Sequence, residues 1–309
     1  MDLRSFKIHL PDRHVRAVGC DHRGEHPRDL DGAAFERVHE AAAPLLAALA
    51  ERAGAGLRAL SVDAVAGVLR LTTVAAPPRP LVLAGDDFAA LAGHLAPVAR
   101  AVLAEVRTRG ADLPGATPSD AAFWDHIYQE DAGGWELGRA APPLVDYFTA
   151  APPVGLRALV LGCGRGHEAR LLAGLGARVT AIDLAPTAIA AARALTDPAA
   201  AIDWQVRDLF APSPDRFDLI VEHCCFCAID PARRDEYVDR VAADLAPGGA
   251  LVGLFYAHGR PGGPPFRVDE AELRSRFGRR FTIAALAVAA GSVLGRHGQE
   301  LLARFTPRP

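Results

Sequence analysis

Residues 160–183 read V-L-G-C-G-R-G-H-E-A-R-L-L-A-G-L-G-A-R-V-T-A-I-D. A short apolar strand runs into glycines at 162, 164 and 166, followed by a helix, a second strand and an acid at its tip. A doubly wound α/β sheet holds an adenosine-bearing cofactor with the same order of parts. Gly162 and Gly164 permit a tight turn and close backbone approach, and Asp183 stands where ribose hydroxyls can be bound. A nicotinamide fingerprint needs G-x-G-x-x-G, whereas here G-C-G-R-G is followed directly by His167 and Glu168. The G-x-x-x-x-G-K-[ST] loop of a triphosphate site is also missing.

Downstream of this stretch, strands alternate with helices. Apolar runs at 158–161, 179–183, 202–206, 219–222 and 251–256 predict a mainly parallel sheet. Two further β-like runs, 281–288 and 300–306, flank a Gly-rich turn region and predict a closing antiparallel hairpin, seven strands in all. Upstream, the pattern predicts a smaller α+β domain over residues 1–110. Its strands are expected at 6–10, 15–20, 57–62, 65–74 and 81–83. Phe35, Val38, Ala42, Leu45 and Leu49 recur at helical spacing across 31–54, with Pro44 expected to kink or split the helix. Asp86 or Asp87 is expected to cap a second helix carrying Phe88, Leu91, Leu95, Val98 and Val102. Gly, Pro and small polar residues across 107–120 read as a linker, placed at 111–119, with the second domain at 120–309.

The chain has 309 residues, enough to bury a sizeable core, and half of them are hydrophobic. A net charge of −3 argues against a nucleic-acid partner. No apolar stretch is long enough to span a bilayer, and the first residues lack the apolar core of a signal peptide. Five cysteines, three of them bunched at 224, 225 and 227, do not form a disulfide framework, so a reducing cytoplasm is the expected compartment. Composition leaves the oligomeric state open, a homodimer included.

Four segments in order carry a resemblance. They are F-W-D-H-I-Y-Q-E-D-A-G-G-W-E-L-G-R at 123–139, the glycine loop, F-D-L-I-V-E-H-C-C-F-C-A-I-D-P-A-R-R at 217–234, and L-A-P-G-G-A-L-V-G-L-F-Y at 245–256 with G-G-P-P-F-R-V-D at 262–269. Together they resemble the thiopurine S-methyltransferase superfamily of class I S-adenosylmethionine-dependent methyltransferases, most closely its thiol and halide branch. The resemblance covers about residues 120–306 and implies S-adenosyl-L-methionine as cofactor and a small molecule as acceptor. It implies that Trp124 and Trp135 cover the methionine part, with Gly138 and Arg139 beside its carboxylate. Gly162, Gly164 and Gly166 then form the loop under the cofactor. Asp183 holds the ribose with Leu184 beside it, and Asp208, Leu209 and Phe210 meet the adenine. Glu222 and His223 face the sulfonium side as substrate-positioning residues. Cys224, Cys225, Tyr256, His258, Phe266 and Arg267 border the acceptor pocket.

At 223–227 the run H-C-C-F-C departs from the family pattern, which has aromatic or small residues where His223, Cys224 and Cys225 stand. His223 can accept a proton or bond a heteroaromatic substrate near neutral pH. Glu222 can pair with a cationic amine. Cys224 and Cys225 are expected to be packed small hydrophobes, because C-C-x-C lacks a second ligand pair at zinc spacing; no metal is expected. His9, His14, Cys20, His22 and His26 have metal-binding chemistry but match no ligand spacing. The favoured acceptor is a thiol or thione sulfur, with selenium or halide as kindred nucleophiles. An N- or O-methyltransferase of a specialised metabolite and a non-catalytic cofactor-binding module remain alternatives.

Overall fold

The computed structural model describes residues 2–21, 24–74, 80–106, 116–129, 135–259 and 262–308. They fall into two compact units. The first takes in Met1–Arg109, Gly134–Gly138 and Val293–His297; the second comprises Gly110–Gly133, Arg139–Ser292 and Gly298–Pro309. Most of the expected linker, residues 111–115 of 111–119, lies outside the described residues.

The first unit is built on an antiparallel sheet of strands β1 (Asp2–His9), β2 (His14–Asp21), β3 (Gly24–Leu30), β4 (Leu57–Asp63), β5 (Val68–Thr73) and β6 (Pro80–Ala84), in the order β3-β2-β1-β4-β5-β6. Alternation sends Phe6, Ile8, Val15, Leu60, Val62, Leu69 and Leu71 to one face. Helices α1 (Gly32–Ala53) and α3 (Ala92–Val106) cover that face with Phe35, Val38, Leu45, Leu95, Val98 and Val102. Several local expectations need correction. Strand β3 was not anticipated; it lies at the sheet edge, where Pro27 and charged residues are tolerated. Helix α1 is not split at Pro44, because its buried stripe continues on both sides of the missing hydrogen bond. Strand β5 begins only at Val68, since Asp63 Oδ1 accepts from the backbone N–H groups of Val65 and Ala66 and closes a turn there. The helix expected from Asp86 or Asp87 is broken in two, α2 (Asp86–Ala89) and α3, and Gly85 rather than an aspartate stands at its N-cap.

The second unit carries α4 (Ala121–Gln129), α5 (Pro142–Ala150), β7 (Arg157–Leu161), α6 (His167–Gly174), β8 (Arg178–Asp183), α7 (Pro186–Ala194), β9 (Ile202–Val206), β10 (Phe217–His223), α8 (Arg234–Asp244), β11 (Leu245–Tyr256), α9 (Glu270–Phe277), β12 (Phe281–Val288) and β13 (Glu300–Pro307). Its seven strands follow the order β12-β13-β11-β10-β7-β8-β9. Strands β7 to β11 are parallel, and β12 and β13 form the antiparallel closure. Strand β11 starts at Leu245, earlier than the expected 251, because Leu245 already pairs with Phe217; the A-P-G-G run after it bulges out before the ladder resumes at Ala250. Phe226, Tyr237, Phe255, Phe277, Phe281 and Phe305 form an aromatic cluster at its core, with Phe277 and Phe305 stacked at 4.4 Å. From β7 the chain winds outward through β8 and β9, then returns to β10 on the other side. The order therefore reverses between β7 and β10, and in open α/β sheets the crevice at that point takes the ligand. Among the described residues, no helix is long and apolar enough to cross a membrane.

Candidate functional site

The glycine loop leaves β7 and enters α6 beside the reversal point. Gly164 sits at φ +52°, and a Cβ there would lie 2.8 Å from Tyr128 Oη. Gly166 sits at φ +80°, and a Cβ there would collide with the Trp204 ring. Backbone conformation and crowding both demand glycine at these two positions. Asp183 ends β8 and holds the loop. Its Oδ2 accepts from Gly164 N–H at 2.8 Å and its Oδ1 from Ala185 N–H at 2.9 Å. Burial raises its carboxyl above the ordinary value, against the pull of N–H donors from Ala185, Gly164 and Leu184. Next door, Arg207 N–H donates to Asp183 O, which brings the end of β9 alongside. Asp208 is exposed there and accepts Phe210 N–H at 2.9 Å, while Leu209 and Phe210 are half-buried. The Arg233 guanidinium lies 3.5 Å from the Phe210 ring centroid.

Helix α4 lies over this loop. Asp125 Oδ1 accepts Thr187 N–H at 2.7 Å in the first turn of α7, and Tyr128 is buried against Gly164 with Arg165 over its ring. Trp124, one turn before Tyr128, is half-buried and donates from Nε1 to Pro118 O at 2.8 Å. Arg139 is exposed. Trp135 and Gly138 group with the first unit, where Trp135 O accepts from Arg296 and Gly138 N–H donates to Glu136.

At the end of β10 the structure separates two neighbours. Glu222 is wholly buried, and its Oε2 accepts Phe226 N–H at 2.7 Å, so it fastens the turn after the strand; Oε1 has no hydrogen-bond partner among the described residues. Burial pushes its carboxyl up to about 8. A carboxyl so enclosed and so readily neutral does not suit the anticipated pairing with a substrate amine. His223 instead lies among side chains from other elements. Its Nδ1 is 3.0 Å from Glu168 Oε1 on α6 and its Nε2 is 3.7 Å from Glu300 Oε1 on β13. Glu168 also accepts Ala141 N–H. Burial opposes the imidazolium, but Cys224 and the Glu168 carboxylate overcome it and raise His223 well above its ordinary value.

The two cysteines also differ. Cys225 is buried, with Sγ 2.9 Å from where a Cβ on Gly162 would sit, and burial pushes its thiol far up, as expected of a packed residue. Cys224 is half-buried at φ +59°, its N–H donating to Leu254 O and its own carbonyl accepting from Cys227 Sγ. Its ligand atom and those of His223 and Glu300 lie within 4.8 Å of one another. The third of these groups, Glu300, comes from β13 and not from the C-C-x-C run.

Phe266 N–H donates to Cys227 O at 2.6 Å, which ties the Gly-Pro loop to this segment. Phe266 and Arg267 line an open depression of about 500 Å³ with Arg234 and Glu272. Tyr256 donates to Gln299, and its ring lies 4.9 Å from that of the buried His258. In the first unit, His9 meets Asp12 at 2.7 Å and His14 meets Asp29 at 3.1 Å; the side chains of Cys20, His22 and His26 lie outside the described residues. Tyr128, Glu168 and Glu300 are site residues that sequence reasoning missed. Only Tyr128 left a signal, as the residue one turn after Trp124 on the same helix face.

Residues 119–302 match the family model described as thiopurine S-methyltransferase. Thiocyanate methyltransferase 1 of Arabidopsis thaliana is 34% identical over 152 residues, covering 47% of this chain and 66% of that protein. Probable thiol methyltransferase 2 of the same plant is 33% identical over 155 residues, covering 48% and 68%. The match thus spans about two thirds of each relative's length. The structure of Burkholderia thailandensis 1,6-didemethyltoxoflavin-N1-methyltransferase superposes with a TM-score of 0.51 at 21% identity, covering 65% of this chain and 94% of that one. The seven-stranded sheet is the class I methyltransferase fold.

Proposed function

Because this chain belongs to the thiopurine S-methyltransferase family, we propose that it transfers a methyl group from S-adenosylmethionine to the sulfur of a small thiol or thione. The observation that carries this reading is the clasp of Asp183 on Gly164 beside the β7–β10 crevice. The names of the thiocyanate and thiol methyltransferase relatives support sulfur as acceptor. The residues fit the cofactor. The loop backbone at Gly164 approaches its neighbours too closely for a side chain, and a carboxylate offers about four acceptor sites, so Asp183 retains capacity for a ribose hydroxyl.

When bound, S-adenosylmethionine supplies an electrophilic methyl on a sulfonium. In this reading Gly162, Gly164, Gly166, Asp183 and Leu184 hold the ribose end, and Asp208, Leu209 and Phe210 border the adenine. Trp124 and Tyr128 cover the loop from α4. His223, Cys224 and the loop carrying Phe266 bound the acceptor on the opposite side of the crevice. The protein's task is to align nucleophile, methyl and leaving sulfur, which at best lowers a barrier by about 7–11 kcal/mol. A thiolate needs no strong general base. The test is release of S-adenosylhomocysteine against a panel of aliphatic thiols, aryl thiols, thio-imidazoles, halide, amines and phenols. Turnover with the sulfur acceptors is expected; turnover confined to amines or phenols overturns the reading.

A further inference from the structure

We propose that His223, Cys224 and Glu300 form a zinc site, and that its open position takes the sulfur of the acceptor. The second half rests on the methyl-transfer reading above; the first half does not. An imidazole nitrogen, a thiol sulfur and a carboxylate oxygen converge within 4.8 Å of one another. They come from the end of β10, the residue after it, and the first residue of β13. The convergence is therefore a product of the sheet, not of one flexible loop.

Three features mark a built site. Glu168 Oε1 holds Nδ1 of His223 at 3.0 Å, which leaves Nε2 directed to Glu300 Oε1 at 3.7 Å. A carboxylate on the far nitrogen is the usual means of fixing the tautomer and aim of a metal-bound histidine. The Glu168 and Glu300 side chains are 11% and 1% exposed, so both carboxylates are set inside the protein rather than on its surface. Cys224 is one of only two non-glycine described residues in the left-handed region, the other being Arg13. A cysteine is strained in that region, and its backbone is pinned through Leu254 O and Cys227 Sγ.

The donor set names the metal. Magnesium and calcium take oxygen ligands, whereas one thiolate, one imidazole and one carboxylate suit a borderline-soft ion such as zinc. Thiolate and carboxylate together balance the charge of a divalent ion. Three protein ligands leave one tetrahedral position open, as in zinc sites that act on a substrate. A thiol entering that position forms a zinc–sulfur bond and gives up its S–H proton to solvent, with no change in oxidation state. The acceptor class is then an ordinary aliphatic thiol, ionised by the metal, and not only a thiol acidic enough to arrive ionised.

The full-length protein, stripped with chelator, is titrated with zinc alone against a chromophoric competitor. About one tightly bound zinc per chain is expected. Cys224→Ala and His223→Gln should each weaken binding by about 100-fold or more, and Glu168→Gln by about 10-fold. Cobalt(II) loading gives a readout independent of activity. Wild type should show a thiolate-to-cobalt charge-transfer band that is absent from Cys224→Ala, with circular dichroism confirming that the variant is folded. Adding an aliphatic thiol should shift the cobalt spectrum, whereas the matching thioether should not. No tight zinc in wild type, or equal binding by Cys224→Ala, overturns the site. An unmoved cobalt spectrum overturns the acceptor assignment alone. S-adenosylhomocysteine binding by the same preparations separates the two readings: cofactor bound without zinc ends this inference and leaves methyl transfer standing.

Discussion

Successive residues of a strand point to opposite faces, and at the end of β10 this sends Glu222 and His223 into different chemistry. Glu222 is held as a neutral acid up to about pH 8, against an ordinary value of 4.5. The folded state therefore binds a proton that the unfolded chain has lost across that window. Its stabilising contribution is complete below 4.5 and is lost as pH rises through about 8. The melting temperature of wild type relative to Glu222→Gln should thus fall between pH 5 and pH 8, checked by paired thermal melts; a constant difference would contradict the assignment. Asp183 is governed by hydrogen bonds instead. Asp183→Asn keeps the shape but turns one acceptor towards N–H groups into a donor, so S-adenosylhomocysteine affinity should drop by about 10-fold or more, read by calorimetry.

Between residues and fold stand the elements that present them. Helix α4 reaches α7 through Asp125 and the glycine loop through Tyr128. Asp125→Ala removes the acceptor for an N–H in the first turn of α7 and should cost about 1 kcal/mol of stability, with faster hydrogen exchange along α4. Legibility in the sequence also divides by element. Strands β7 and β8 could be read because each is a largely buried apolar run close to glycine turns, and Asp183 because it ends β8. Strand β3 could not, since an edge strand carrying Pro27, Arg28 and Asp29 has no apolar alternation to display. His223 was legible as a departure from pattern; its partners were not. Glu168 is 55 positions away, and Glu300 reaches it only because β13 folds back beside β11. Local spacing carries no trace of either.

At the scale of the molecule, the first unit is not simply a leading domain, because Val293–His297 from the far end of the chain packs with it. Leu294 lies against that unit's core, and Gly295 lies so near Leu103 that a Cβ there would be 2.5 Å from its side chain. A fragment of residues 116–309 should keep the seven-stranded sheet but melt below the full chain, with residues 293–297 newly open to proteolysis. Equal melting temperatures in scanning calorimetry would show that the segment gains nothing from its neighbours. The central claim concerns the whole protein: a class I fold carrying methyl transfer to sulfur. The most direct measurement gives the full-length protein S-adenosylmethionine with an isotopically labelled methyl group and an equimolar mixture of small thiols, amines and phenols. Mass spectrometry then locates the label. Label on sulfur, with an equal yield of S-adenosylhomocysteine, is the predicted result; label on nitrogen or oxygen, or none despite bound cofactor, would contradict it.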